Sequence, residues 1–128
     1  MMLKFKYNEK QSADYLKFGA DESLEFKIED AWESSGGEAM TLLCRVLSGD
    51  QAERLTRVTM RFAINGGGAN TGTLRFLRLN FTGEELKQGM NLKKLLDKRF
   101  SCVSKLKTVN GREFQNFEHW KLIEGGCD

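Results

Sequence analysis

Five side chains near the end of the chain combine two kinds of chemistry. Lys105, Lys107 and Arg112 carry positive charge, and Phe114 and Trp120 carry flat aromatic faces. Cations neutralise phosphates and release counterions, while aromatic rings stack on bases for about 1–3 kcal/mol each. Whether they act together depends on spacing. Asn110-Gly111, between the β-patterned runs 100–109 and 112–123, is a strong hairpin signal. A two-residue turn sets Val109 opposite Arg112, Lys107 opposite Phe114, Lys105 opposite Asn116, Val103 opposite Glu118 and Ser101 opposite Trp120. Period two then gathers Lys105, Lys107, Arg112, Phe114 and Trp120 on one face, with Phe100, Cys102, Leu106 and Phe117 on the other. Arg57 and Arg61, on an earlier strand, extend the same surface.

That mixture suits sequence-tolerant binding of a single strand, and the seven residues are the expected nucleic-acid contacts. Arg57, Arg61, Lys105, Lys107 and Arg112 would meet phosphates; Phe114 and Trp120 would stack. Blander roles stay open beside these. The lysines also suit a solvated outer face, Phe114 suits a core as well as a surface, and Trp120 suits the closing of a barrel from within. A bulge would reverse every assignment beyond it.

Enzyme signatures are missing. His119 is the one histidine, and it lies among Phe117, Glu118 and Trp120 in a strand pattern, where a local hydrogen bond is the ordinary role. No two of the scattered carboxylates are spaced as an acid–base pair. Gly67 to Thr73 has the glycine spacing of a P-loop, but Thr73 stands where the phosphate-binding lysine belongs, so a connection is expected there. Cys44, Cys102 and Cys127 are odd in number and widely spaced, which fits buried free thiols better than a disulfide framework or a zinc site. No enzyme activity, cofactor or metal is expected.

The elements that must position these residues follow from the rhythm of the chain. Residues 1–22 form an irregular arm that Phe5, Tyr7, Tyr15, Leu16 and Phe18 can pin to the body, ahead of a core over 23–124. Leu24, Phe26 and Ile28 alternate with Glu25, Lys27 and Glu29 as in a half-buried strand, ended by a turn at Ser34-Ser35-Gly36-Gly37. Met40 to Leu47 is apolar almost throughout, a strand covered on both faces. A third strand spans about Arg54 to Ile64, with Val58, Met60, Phe62 and Ile64 inward and Arg57, Thr59 and Arg61 outward. A flexible loop over 65–70 leads to a helical region with Leu74, Phe76, Leu77 and Phe81. Thr82-Gly83-Glu84-Glu85 reads as a capping box, and Asn91 starts another short helix. Three strands, helices and two strands give a mainly β protein: one domain over 1–128, an OB-like five-stranded antiparallel barrel with a helical segment between its third and fourth strands.

Composition agrees with a globular chain. Of 128 residues, 40% are hydrophobic and 30% charged, so a core can form. Neither a membrane-spanning apolar run nor an apolar signal core is present, and the expected location is the cytoplasm. Net charge is +2, unevenly spread: residues 1–50 hold six Lys/Arg against ten Asp/Glu, and residues 51–128 hold fourteen against eight.

Several segments carry a family resemblance. Leu24-Glu25-Phe26-Lys27-Ile28-Glu29-Asp30-Ala31 after a short arm, a leucine-rich second strand, Leu95-Leu96-Asp97-Lys98-Arg99-Phe100-Ser101-Cys102-Val103, and Asn110-Gly111-Arg112-Glu113-Phe114-Gln115-Asn116-Phe117 together resemble small phage-encoded single-stranded DNA-binding proteins with an OB-fold. The likeness covers about residues 20–124. It implies a non-enzymatic role in phage replication, recombination or repair, in the host cytoplasm, with single-stranded DNA or RNA as partner and self-association left open. The chain ends Ile123-Glu124-Gly125-Gly126-Cys127-Asp128, too weakly charged for the acidic partner-recruiting tail common among such proteins. Two rivals stand beside this: a protein-interaction or inhibitor module whose acidic first half mimics nucleic acid, and a virion or scaffold subunit assembling through a strand edge.

Overall fold

A computed structural model describes residues 13–64, 67–68 and 71–124. Phe5, Tyr7 and Cys127 lie outside that range. The chain is mainly β, and its central feature is a five-stranded antiparallel sheet in the order β3-β2-β1-β6-β7. Its strands are β1 (Ser23–Ser34), β2 (Ala39–Val46), β3 (Leu55–Arg61), β6 (Arg99–Val109) and β7 (Arg112–Glu124). Between β3 and β6 run two two-residue strands, β4 (Ala63–Ile64) and β5 (Gly67–Gly68), then helix α1 (Thr71–Asn80), helix α2 (Gly83–Gln88) and a 3-10 turn over Leu92–Leu95.

Local chemistry accounts for most boundaries. Leu24, Phe26 and Ile28 are buried while Glu25 between them is exposed, so β1 begins with the expected alternation. β2 is covered on both faces: Met40, Leu42 and Cys44 enter the main core, and Ala39, Thr41 and Leu43 are buried on the opposite side. The β6–β7 turn is made by Asn110 and Gly111, both at positive φ (52° and 78°), as a two-residue hairpin turn of matching twist requires. Thr82 and Glu85 form a reciprocal capping box at α2, and Asn91 caps the 3-10 turn through Lys93 N–H.

Four expectations are corrected. The barrel is not closed: no ladder joins β3 to β7 among the described residues, and the sheet is open between those edges. The third strand stops at Arg61 instead of continuing to Ile64, because Ala63 and Ile64 leave the sheet to pair with Gly68 and Gly67. The latter two glycines are therefore in a strand, not a loop. Finally, Trp120 is fully buried and faces the core.

The physical cause of that last difference is a bulge. Val103 pairs with Glu118 as expected, but Ser101 pairs with Lys121, so His119 and Trp120 together stand against Cys102. His119 takes φ 58°, a left-handed conformation that side chains other than glycine seldom adopt, and the alternation reverses past it. Trp120 turns inward against Phe26, Phe76, Phe100 and Phe117, with ring centroids 4.8–6.2 Å away, and its Nε1–H donates to the Phe117 carbonyl at 3.0 Å.

β1 carries a second bulge. Ile28 pairs with Cys44 but Asp30 pairs with Leu43, leaving Glu29 extra. Glu29 receives Arg45 bidentately, Nε at 2.8 Å and Nη2 at 3.2 Å. Beyond it Ala31 turns toward the core and Trp32 turns out, level with Thr41.

α1 lies on β7. Phe76 meets Phe100 and Trp120, and Arg75 Nε–H donates to the Trp120 carbonyl at 2.9 Å. The approach is close enough to need glycine: a Cβ at Gly72 would stand 2.4 Å from the Phe117 carbonyl oxygen. The P-loop-like spacing therefore serves packing at this position.

The open edge is bridged by the segment before β1. Asp14 forms a parallel bridge to Thr56, its carbonyl accepting Arg57 N–H at 3.0 Å, and Leu16 N–H donates to Thr56 Oγ1 at 2.9 Å. Across the gap, Gln115 Oε1 accepts Phe18 N–H at 2.7 Å while Gln115 Nε2 donates to the Leu16 carbonyl at 2.9 Å. Phe18 enters the core between Phe26 and Phe117. Among the described residues, no helix is long and apolar enough to cross a membrane.

Candidate functional site

On the outer face of this sheet runs an open groove of about 820 Å³. One end is the β1–β2 turn at Ser34 and Ser35, the other the hairpin tip at Val109 and Phe114, and Thr41, Thr59, Arg61, Lys107, Tyr15 and Asn116 lie between. The floor, at Thr41 and Thr59, is made by strand pairing, and Trp32 lies on the same face outside the lining. Trp32 pairs with Thr41 and Thr41 with Thr59, so these side chains share one face, tied by a 3.2 Å hydroxyl contact between the threonines. Tyr15 reaches over the β3 edge and puts its hydroxyl 2.7 Å from Thr59 Oγ1, the residue remaining 56% exposed.

Phe114, Lys107 and Arg61 meet in this groove. Phe114 is 48% exposed, a large cost in apolar surface for a ring with a core nearby. It pairs with Lys107, whose Nζ is 3.3 Å from a Glu118 carboxylate oxygen. Arg61 is exposed at the end of β3. Arg112 is exposed at the hairpin turn, beside the groove instead of lining it. Neither arginine has an ion-pair partner among the described residues.

Arg57 and Lys105 are placed differently. Arg57 lies over the Trp32 ring, its guanidinium carbon 5.5 Å from the centroid, and its buried Nε–H has no acceptor among the described residues. Lys105 is tied to Asp21, whose carboxylate raises the lysine's proton affinity first through the hydrogen bond and then through its charge. Lys105 lies on the expected face but outside the groove lining, and its charge is already matched. Trp120, in the core, takes no part.

Sequence reasoning missed two aromatic residues. Trp32 offered the cue of a large ring just ahead of a turn, but period two from Leu24 points it inward. Tyr15 sits in an irregular segment with no rhythm to place it.

Other chemistry is sparse. Cys44 and Cys102 are buried free thiols, and burial pushes both well above the ordinary thiol range, so they stay protonated and unreactive. Among the described residues no group of three or more His, Cys, Asp or Glu side chains is placed to hold a metal ion. His119 is exposed at the bulge.

Comparison of the chain with protein-family models, with curated proteins and with solved structures finds no match.

Proposed function

We propose that this chain binds single-stranded nucleic acid, DNA first and RNA as the alternative strand, in the groove between the β1–β2 turn and the β6–β7 hairpin, without catalysing a reaction. The observation that carries this reading is the exposed Phe114 ring beside Lys107 and Arg61 in one groove. An exposed ring flanked by cations supplies a stacking surface and phosphate neutralisation together. Tyr15 and the Trp32–Arg57 pair add aromatic surface on the same side.

The strand order supports an OB-type arrangement, in which the second and third strands and the loops of the first and last hairpins hold oligonucleotides. The groove lies over those same parts. The lack of a ladder between β3 and β7 is compatible with a partly open barrel, the segment 14–18 filling the cut. Replication, recombination or repair is the role that the resemblance noted in the sequence implies for such a domain, with little sequence preference over most of the strand.

The test is fluorescence anisotropy of a labelled oligo-dT strand and of a matched duplex across a salt series. Tight binding of the strand, weak binding of the duplex and a steep loss with salt are expected. With three or four phosphates neutralised, the logarithmic slope should be about −2 to −3. No binding at low salt would remove the proposal.

A further inference from the structure

Beside the groove lies a smaller chamber. It occupies about 300 Å³ between the segment 14–18, β3 and β7, and its walls include Tyr15, Arg57, Glu113, Asn116 and Phe117. Tyr15 and Asn116 line the groove as well, so the two spaces adjoin at those residues. This volume is at the lower end of small-ligand sites, about 300–1,000 Å³, and suits one base better than a stacked run.

The polar groups of the chamber divide into those already used and those free. Gln115 is used: it accepts from Phe18 N–H and Ser104 Oγ and donates to the Leu16 carbonyl. It builds the wall. Asn116, next along β7, makes no side-chain hydrogen bond among the described residues. Arg57 lines the chamber, and its buried Nε–H has no acceptor among the described residues; buried donors are seldom left so. Its contact with the Trp32 ring holds the guanidinium in place. Glu113 adds an exposed carboxylate.

We infer that this chamber takes one guanine base of the bound strand, an inference that rests on the groove's being the strand-binding site. Guanine presents two adjacent acceptors, O6 and N7, which an arginine fork meets bidentately. Its N1–H and N2–H groups are donors, the complement of the Glu113 carboxylate, and the Asn116 amide can serve either edge. Adenine brings an N6–H donor to the place where Arg57 requires an acceptor. Thymine lacks the adjacent acceptor pair. The walls of Tyr15 and Phe117 supply the apolar faces.

The experiment is anisotropy titration of the full chain with oligo-dT strands carrying one central guanine, adenine or cytosine, beside oligo-dT itself. The guanine strand should bind about tenfold or more tightly than the others. Arg57→Lys keeps the charge but loses the fork, so it should erase that advantage, read within the variant as the ratio of guanine-strand to oligo-dT affinity. Glu113→Gln, at an exposed position, should also cut the advantage and serves where the arginine variant does not fold. Each variant supplies its own ratio between strands, so a general loss of affinity does not mimic the result. Equal binding of all four strands, a preference for another base, or a guanine advantage that survives both substitutions overturns the chamber and leaves the groove standing. Absence of binding to every strand overturns both.

Discussion

The two tryptophans occupy opposite environments, and in each case a bulge put them there. Counting by twos from Leu24 sends Trp32 inward; counting by twos from Lys105 across the hairpin sends Trp120 outward. Glu29 in β1 and the His119–Trp120 pair in β7 each add one residue to a strand and invert both results. Trp32 therefore lies on the outer face under Arg57, and Trp120 is sealed among four phenylalanines. A bulge is thus a means of choosing which aromatic faces outward and which holds the protein together.

The largest test of this contrast is stability. Trp120→Ala should cost about 3–5 kcal/mol, enough to unfold much of the population, whereas Trp32→Ala should cost about 1 kcal/mol. Urea unfolding of both variants measures the difference, and equal losses would break the comparison.

Binding should divide the aromatics the other way. Phe114→Ala is expected to weaken oligo-dT binding by about 1–3 kcal/mol while changing stability by about 0.5 kcal/mol or less. Trp32 emission in a Trp120→Phe background should respond to added strand, and Trp120 emission in a Trp32→Phe background should not. A strand-dependent Trp120 signal would contradict its buried place.

Charge gives a finer division on the same face. Arg61→Ala and Lys107→Ala should each lower the salt slope by about 0.7. Lys105→Ala should lower it less, because Lys105 lies outside the groove lining while Lys107 is part of it. If Lys105 proves as strong as Lys107, its ion pair with Asp21 opens on binding and the groove extends down the hairpin.

Backbone strain comes next. His119 holds φ 58°, so His119→Gly should keep the bulge and raise stability by up to about 1 kcal/mol, read as a higher urea midpoint. Destabilisation would mean that the imidazole, not the backbone, maintains the inversion.

The smallest effect serves as a control away from both tryptophans. The Thr82 backbone N–H and then Lys94 hold the Glu85 carboxyl below its ordinary range. A carboxylate lowered in the folded chain stabilises above its unfolded pKa, and that contribution disappears as pH falls through the folded value. On acidification below about pH 4 the wild type should lose its small advantage over Glu85→Gln in unfolding experiments, with neither tryptophan's emission altered.

Much of the fold is legible without coordinates where a choice is local. Asn110-Gly111 needs only its own backbone to turn, Thr82 and Glu85 cap each other within one helical turn, and the register from Val109–Arg112 to Val103–Glu118 follows from that turn by counting. Counting from the turn puts Lys107 and Phe114 on one face, the alternation of β3 puts Arg61 outward, and all three line the groove. Tyr15 and Trp32 are not placed by such counting, because one sits in an irregular segment and the other lies past a bulge.

The sequence by itself determined the five main strands and their order along the chain, the hairpin turn, the helix caps and which side chains bear charge or rings, since these depend on residues a few positions apart. Only the tertiary structure decided where the alternation inverts, that β3 and β7 stay apart, and that residues 14–18 lie between them. Those outcomes depend on contacts such as Gln115 with Leu16 and Phe18, or Trp120 with Phe26, which are remote along the chain. A bulge gives up regular local pairing for distant packing, and so no short stretch of sequence announces it.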